Sequence, residues 1–194
     1  SDADKAYQRV NRDAVLKVVG EDFPDIYPMT ESMLNNKAIL HYAGCKEGIQ
    51  EIISEEGVSQ GASDSGHLFS LVKSIVTKEA LVYLPSGVTA DYLDDNISAG
   101  PTREIVNMTE YVNATGPIYG IHSSAHKGIV LLGLKASPEE AERDKKLYCE
   151  LLHMSPSNIL IHPSNSTSST AGDTHGMQVL GVPIGADGYT GISI

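Results

Sequence analysis

Cysteine is scarce: Cys45 and Cys149 are the only two in 194 residues, and neither sits in a Cys-x-x-Cys or Cys/His spacing. That leaves no ground for a disulfide framework or a zinc site, and free thiols in a reducing compartment are expected. Long apolar runs are lacking as well. None reaches the ~20 residues that span a bilayer, and no basic segment followed by an apolar one opens the chain. A soluble, intracellular chain without a membrane partner is therefore expected, and the sequons at Asn96, Asn107, Asn113 and Asn165 read as chance matches. Basic residues are also few, 14 Lys and Arg against 25 Asp and Glu, for a formal net charge of -11. Such a balance disfavours long-range attraction to phosphate, so any nucleic-acid partner has to find its basic surface elsewhere.

What is present is ordinary globular material. The chain is 41% hydrophobic and 20% charged, enough for one core in a single domain covering residues 1–194. Ala6, Val10, Ala14 and Val18 recur at helical spacing, which predicts one helix to about Val19; Gly20 and Pro24 punctuate it, and a second helical stretch runs toward Leu34. Ala38 to Tyr42 and Ile49 to Ser54 read as a hairpin, and Gly66 to Leu81 as a helix whose Leu68, Leu71, Val72 and Ile75 face a core. Two short β-prone pieces, Val88 to Asp91 and Ile97 to Ala99, flank Leu93-Asp94-Asp95-Asn96. Thr102-Arg103-Glu104 is read as the cap of a helix to about Ala114, 128–134 as a strand, and Ser137-Pro138-Glu139-Glu140 as the start of a helix to about Leu152. The Ser/Thr-rich stretch 164–174 is a surface loop by composition. The tail 179–194 holds two β-prone patches separated by Gly185-Ala186-Asp187-Gly188.

The sharpest chemical feature is Tyr92-Leu93-Asp94-Asp95. Two adjacent carboxylates on a hairpin turn repel each other unless a cation neutralises them or water screens them, so a metal site and a solvated acidic turn both remain open. An EF-hand does not fit: with Asp94 as the first ligand, Ala99 falls where glycine is needed and Ile105 where a bidentate glutamate is needed. Gly181-Val182-Pro183-Ile184-Gly185 lacks the Lys-Ser/Thr of a phosphate-binding loop.

Read in order, five segments resemble the reverse transcriptases of non-LTR-type retrotransposons, and together they cover nearly the whole chain. Asp2-Ala3-Asp4-Lys5-Ala6-Tyr7 with Val10-Asn11-Arg12 resembles the first catalytic motif, with Asp2 on the catalytic position. Glu56-Gly57-Val58-Ser59-Gln60-Gly61 followed by Leu68-Phe69-Ser70-Leu71 resembles the Gln-Gly motif. Tyr92-Leu93-Asp94-Asp95 resembles the Tyr-x-Asp-Asp turn, Tyr119-Gly120-Ile121 with Lys127 the next motif, and Leu180-Gly181-Val182-Pro183-Ile184-Gly185 the primer grip, here a hairpin within 179–194. Where the family has Gln-Gly-Asp-Pro-Leu, this chain has Gln60-Gly61-Ala62-Ser63-Asp64.

The resemblance implies an α+β polymerase palm, in which an antiparallel sheet brings the Asp2 strand beside the Asp94-Asp95 hairpin with helices packed on it. The fingers and thumb are expected to be largely missing, so that the chain is a fragment with little processive synthesis of its own. The implied activity is RNA-directed DNA polymerisation, a two-metal nucleotidyl transfer from a dNTP to a primer 3′-hydroxyl on an RNA or DNA template. Asp2, Asp94 and Asp95 would be the catalytic and metal-binding residues, for Mg²⁺ or Mn²⁺. Tyr7, Gln60, Gly61 and Lys127 would contact nucleotide and template, and Leu180 and Gly181 the primer. Tyr7 also reads as an ordinary core aromatic, and Lys127 as a solvated lysine. Two other readings stand beside this one. A decayed or domesticated relative would keep the fold as a binding or scaffold module; an unrelated acidic α/β metal-binding protein would place Asp2 far from Asp94.

Overall fold

The computed structural model describes residues 2–3, 5–35, 38–45, 48–59, 62–124, 127–132, 137–161, 176–179 and 182–185, the side chains of residues 2, 3, 38, 45, 176–179 and 182–185 excepted. Their order is β1 (Asp2–Ala3), α1 (Ala6–Arg9), α2 (Arg12–Asp22), α3 (Tyr27–Leu34), β2 (Ala38–Cys45), β3 (Gly48–Ser54), α4 (Ser65–Ala80), β4 (Val88–Tyr92), β5 (Asp95–Ala99), α5 (Thr102–Thr115), β6 (Ser123–Ser124), β7 (Val130–Leu132), α6 (Pro138–Leu151), β8 (Ile159–Ile161), β9 (Gly176–Val179) and β10 (Val182–Gly185), with short 3-10 turns before α3, after α4 and α5, and before β8. The fold is α+β.

The helix expected to run unbroken from Ala6 to Val19 is interrupted. Val10 is extended, and the Asn11 side chain accepts from the Asp13 and Ala14 amides at 2.9 and 3.2 Å, starting α2 afresh. Asparagine offers the backbone a local partner that competes with helix continuation. A different correction applies to α5. Thr102 does not cap it: its hydroxyl donates to Asp144 of α6 at 2.6 Å, Glu104 accepts from the Ser86 amide at 2.9 Å, and Pro101 holds the cap position without a side-chain bond. Tertiary partners have claimed the capping side chains. At α6 the expectation holds, with Ser137 and Glu140 forming a reciprocal capping box.

Strand pairing departs further from a single palm-like sheet. Among the described residues the strands associate only in pairs: β1 with β6, β2 with β3, β4 with β5 and β9 with β10, all antiparallel, and β7 with β8 in parallel. The strand expected over 128–134 is described as Val130–Leu132, and its partner β8 arrives through the crossover helix α6, as parallel pairing requires. In the tail a hairpin joins 176–179 to 182–185, and the expected patch beyond Gly185 lies outside the described residues. The expected primer-grip residues 180 and 181, and the expected loop 164–174, lie outside the described residues.

One core cluster gathers Ala6, Val10, Val15, Val18, Val19, Leu68, Phe69, Val72, Val76 and Ile121, so that α1, α2 and α4 pack around it. A second joins α5 and α6 to the β7–β8 pair through Val106, Leu132, Tyr148, Leu152 and Ile159, with the free thiol of Cys149 at its edge. Ala80, Leu84 and Met108 link α4 to α5 between them. No helix among the described residues is long and apolar enough to cross a membrane.

Candidate functional site

The β4–β5 hairpin closes in register from Val88–Ala99 to Tyr92–Asp95, leaving Leu93 and Asp94 as a two-residue turn. Such turns favour residues that tolerate left-handed backbone, usually Asn or Gly. Leu93 instead takes φ 53°, a conformation that costs a side-chain-bearing residue roughly 1–2 kcal/mol. Asp95 opens β5, so the two carboxylates differ in setting: Asp94 belongs to the turn and Asp95 to the strand, both half-buried.

Lys73 holds the turn from beneath. Its residue is only 7% exposed on the core face of α4, and its ammonium donates to the carbonyls of Leu93 at 3.0 Å and Asp95 at 2.6 Å. It also ion-pairs with Asp91 Oδ1 at 3.0 Å. Three N–H bonds meet three acceptors. Asp91 receives the Thr77 hydroxyl at 2.7 Å and the Asn96 amide at 2.9 Å as well. Burial pushes the Asp91 carboxyl upward, but the hydrogen bonds from Asn96 and Thr77 and the Lys73 charge outweigh it and hold the group below the usual aspartate range.

Tyr7 faces the same turn. Its ring packs on Phe69 with centroids 5.5 Å apart at the margin of the first cluster. A β-carbon on Gly66 would lie 3.2 Å from Leu93 Cδ2 and 4.0 Å from the Tyr7 hydroxyl oxygen, so the absence of one lets α4 seat against both. The Tyr7 hydroxyl is raised above the usual phenol range by burial first, then by the negative charge of Asp94 and by Tyr92. Tyr7 is thus core-packed on its ring, with its hydroxyl beside Gly66 and within reach of the Asp94 charge.

Parts of two other motif segments, 56–59 and 119–121, converge on residues 7–12. The Val58 amide donates to the Tyr7 carbonyl at 2.7 Å and the Gly57 amide to the Val10 carbonyl at 3.1 Å. Arg12 clamps the same loop: its guanidinium reaches the carbonyls of Gly57 at 2.7 Å, Ser54 at 3.1 Å and Glu56 at 3.2 Å, and that of Leu34 at 3.4 Å. From the other side the Asn11 amide donates to the Tyr119 carbonyl at 3.0 Å, and Gly120, with φ 74°, presses against the Arg9 carbonyl and Asn11 amide where no side chain fits. Ile121 enters the core next to it.

β6 follows and pairs with β1, Asp2 opposite Ser124. Cα atoms of β1 also come within 8 Å of those of β5, so the Asp2 strand runs beside the Asp95 strand without a hydrogen-bonded ladder between them. The Lys127 amide donates to the Ser124 carbonyl at 3.2 Å, in the turn leaving β6, and its side chain is exposed. Of Asp2 only the strand position is described, and Gln60, Gly61, Leu180 and Gly181 lie outside the described residues.

Asp94 and Asp95 supply hard oxygen donors suited to Mg²⁺ or Mn²⁺. Among the described residues no hydrogen bond or ion pair engages either carboxylate, because Lys73 takes backbone carbonyls and Asp91 instead. No group of three His, Cys, Asp or Glu side chains that could hold a metal is gathered among the described residues, a set that excludes the Asp2 side chain.

The sequence reading missed Lys73, Asp91 and the clamp role of Arg12. A signal for the first exists: Lys73 stands four residues after Phe69 and three before Val76, inside the apolar stripe of a helix whose other positions there are buried. No protein-family model matches the chain, and no curated protein or solved structure matches it.

Proposed function

We propose that this chain is the palm portion of an RNA-directed DNA polymerase, extending a primer 3′-hydroxyl with deoxynucleotides along an RNA or DNA template. The observation that carries the reading is convergence. Segments spread over more than a hundred residues, each resembling one reverse-transcriptase motif, meet at residues 7–12 through backbone bonds from Gly57, Val58 and Asn11, with the Asp94 turn near Tyr7 across Gly66. The Asp2 strand beside β5 weighs against an unrelated metal-binding protein, for which the two would be distant.

In this reading Asp94 and Asp95, with Asp2 from the neighbouring strand, would hold the metal. Mg²⁺, when bound, neutralises charge on the attacking 3′-oxygen and the departing pyrophosphate. The protein's own task is positioning. Tyr7 bounds the space beside Asp94 with a ring fixed on Phe69, and rejects a 2′-hydroxyl by size. By the resemblance, Gln60 and Gly61 would meet the template-nucleotide layer, and Lys127 would lie toward the pyrophosphate.

The test is primer extension by the protein that carries this chain, with Asp94→Asn as the decisive variant. Loss of a ligand charge at nearly constant volume should abolish extension; near-native extension would overturn the mechanism. A scaffold role for a decayed relative is favoured by Ala62-Ser63-Asp64 after Gln60-Gly61 and by the net charge of -11. Template binding by the unaltered protein with no extension at any Mg²⁺ or Mn²⁺ concentration would establish that role instead.

A further inference from the structure

We propose that Lys73 is a positioning residue for the acidic turn, an ammonium built into the core face of α4 that sets how Asp94 and Asp95 are presented to a divalent cation. The inference deepens the polymerase reading and rests on it for the identity of the cation.

A lysine at this place is expensive, because an ammonium must leave water and be recompensed by acceptors held in fixed positions. Packing alone gives no reason for it: a methionine would fill the same length of α4 beside Val72 and Val76. The hairpin does not need it for pairing either, since β4 and β5 form five register pairs of their own. What Lys73 adds is confined to the turn. One N–H holds the carbonyl of Leu93, the residue in left-handed backbone, and one holds the carbonyl of Asp95, so the two bonds bracket Asp94. The third is anchored on Asp91, itself fixed by Thr77 from α4 and Asn96 from β5. Lys73 and Asp94 line the same small cavity between α4, α5 and the hairpin, about 40 Å³ in volume. The 93–94 and 95–96 peptide planes, which enclose Asp94 and Asp95, are therefore referred to α4, the helix that also carries Gly66 and Phe69 against Tyr7. Through this chain of contacts one rigid element orients the carboxylates and the ring that faces them.

The experiment uses Mn²⁺ alone as probe, its binding to the 194-residue chain followed by electron paramagnetic resonance, together with amide hydrogen exchange of the turn. Lys73→Met by itself strands the Asp91 carboxylate and risks misfolding, so the main variant is Lys73→Met/Asp91→Leu, which removes the pair together. Expected for that variant are native circular dichroism, unchanged protection of α4, exchange of the 93–96 amides at least tenfold faster, and Mn²⁺ affinity at least tenfold weaker. A folded double variant with native turn protection and native Mn²⁺ affinity would overturn the proposal. The control Asp94→Asn separates the two layers. If it leaves Mn²⁺ binding unchanged, or if the native chain binds none, the metal reading of the turn falls and with it the role toward a cation, whereas unaltered exchange in the double variant with Asp94-dependent Mn²⁺ binding intact removes only Lys73.

Discussion

Arg12 Nε lies 2.7 Å from the Gly57 carbonyl oxygen, joining the first turn of α2 to a loop 45 residues further along the chain. Its two terminal nitrogens extend the grip to Ser54, Glu56 and Leu34. A planar fork with five N–H bonds can span carbonyls that point in different directions; an ammonium presents its donors from one point.

Arg12→Ala should therefore cost about 2–4 kcal/mol of stability, since several part-buried carbonyls lose a charged donor together. Arg12→Lys should recover only a minor part. Urea denaturation measures both, and limited proteolysis of the loop at 55–59 should be accelerated in step. Equal stability of the Lys variant and the native chain would mean that charge, and not the fork, holds the loop.

Gly120→Ala tests the junction with Tyr119 and Ile121. Left-handed backbone alone costs a β-carbon about 1–2 kcal/mol, and at this position the added atom meets the Arg9 carbonyl and the Asn11 amide, both backbone. The midpoint of chemical unfolding should fall accordingly. A neutral effect would show that residues 116–121 are not seated on the α1–α2 break.

Asp91 makes stability depend on acid. Its carboxyl is held below the ordinary aspartate value despite burial, through Asn96, Thr77 and Lys73. The folded state thus binds that proton less readily than the unfolded chain. The contribution is complete above the unfolded value of about 3.9 and is lost as pH falls from there through the lower folded value. Asp91→Asn should be less stable than the native chain near neutrality, and the gap should close below that range. Parallel thermal melts from pH 6 to pH 2.5 check the sign; a gap that widens on acidification would contradict it.

If the polymerase reading holds, Tyr7→Ala should relax discrimination against ribonucleotides while Asp94-dependent metal binding persists, because in that reading the ring, not the carboxylates, would bound the sugar. Tyr7→Phe keeps the ring on Phe69 and should retain exclusion. Single-nucleotide incorporation with paired dNTP and rNTP substrates reads the difference. Unchanged exclusion in the Ala variant, with lowered stability alone, would return Tyr7 to a core aromatic.

The sequence by itself determined the elements whose causes are local. The apolar spacing from Leu68 to Val76 makes α4, Ser137 and Glu140 start α6 by satisfying each other's backbone, and the β-prone runs on both sides of Leu93-Asp94 make a hairpin with its carboxylates at the bend. The segments that meet around Tyr7 were also legible one by one. Their meeting was not, because it depends on backbone donors and acceptors left over after each element has formed. Asn11 could have continued a helix, and its amide bond to the Tyr119 carbonyl, together with its side-chain cap on Asp13 and Ala14, shows why the chain breaks there. Thr102 reads as a cap until Asp144 is brought within 2.6 Å. β7 and β8 carry no mark of parallel partnership beyond being short and apolar, since that pairing is imposed by the reach of α6. Lys73 shows the limit most plainly: periodicity places it among buried residues, but which three oxygens meet its ammonium is decided by the packing of α4 under the hairpin, since fixed acceptors are needed to offset the loss of water.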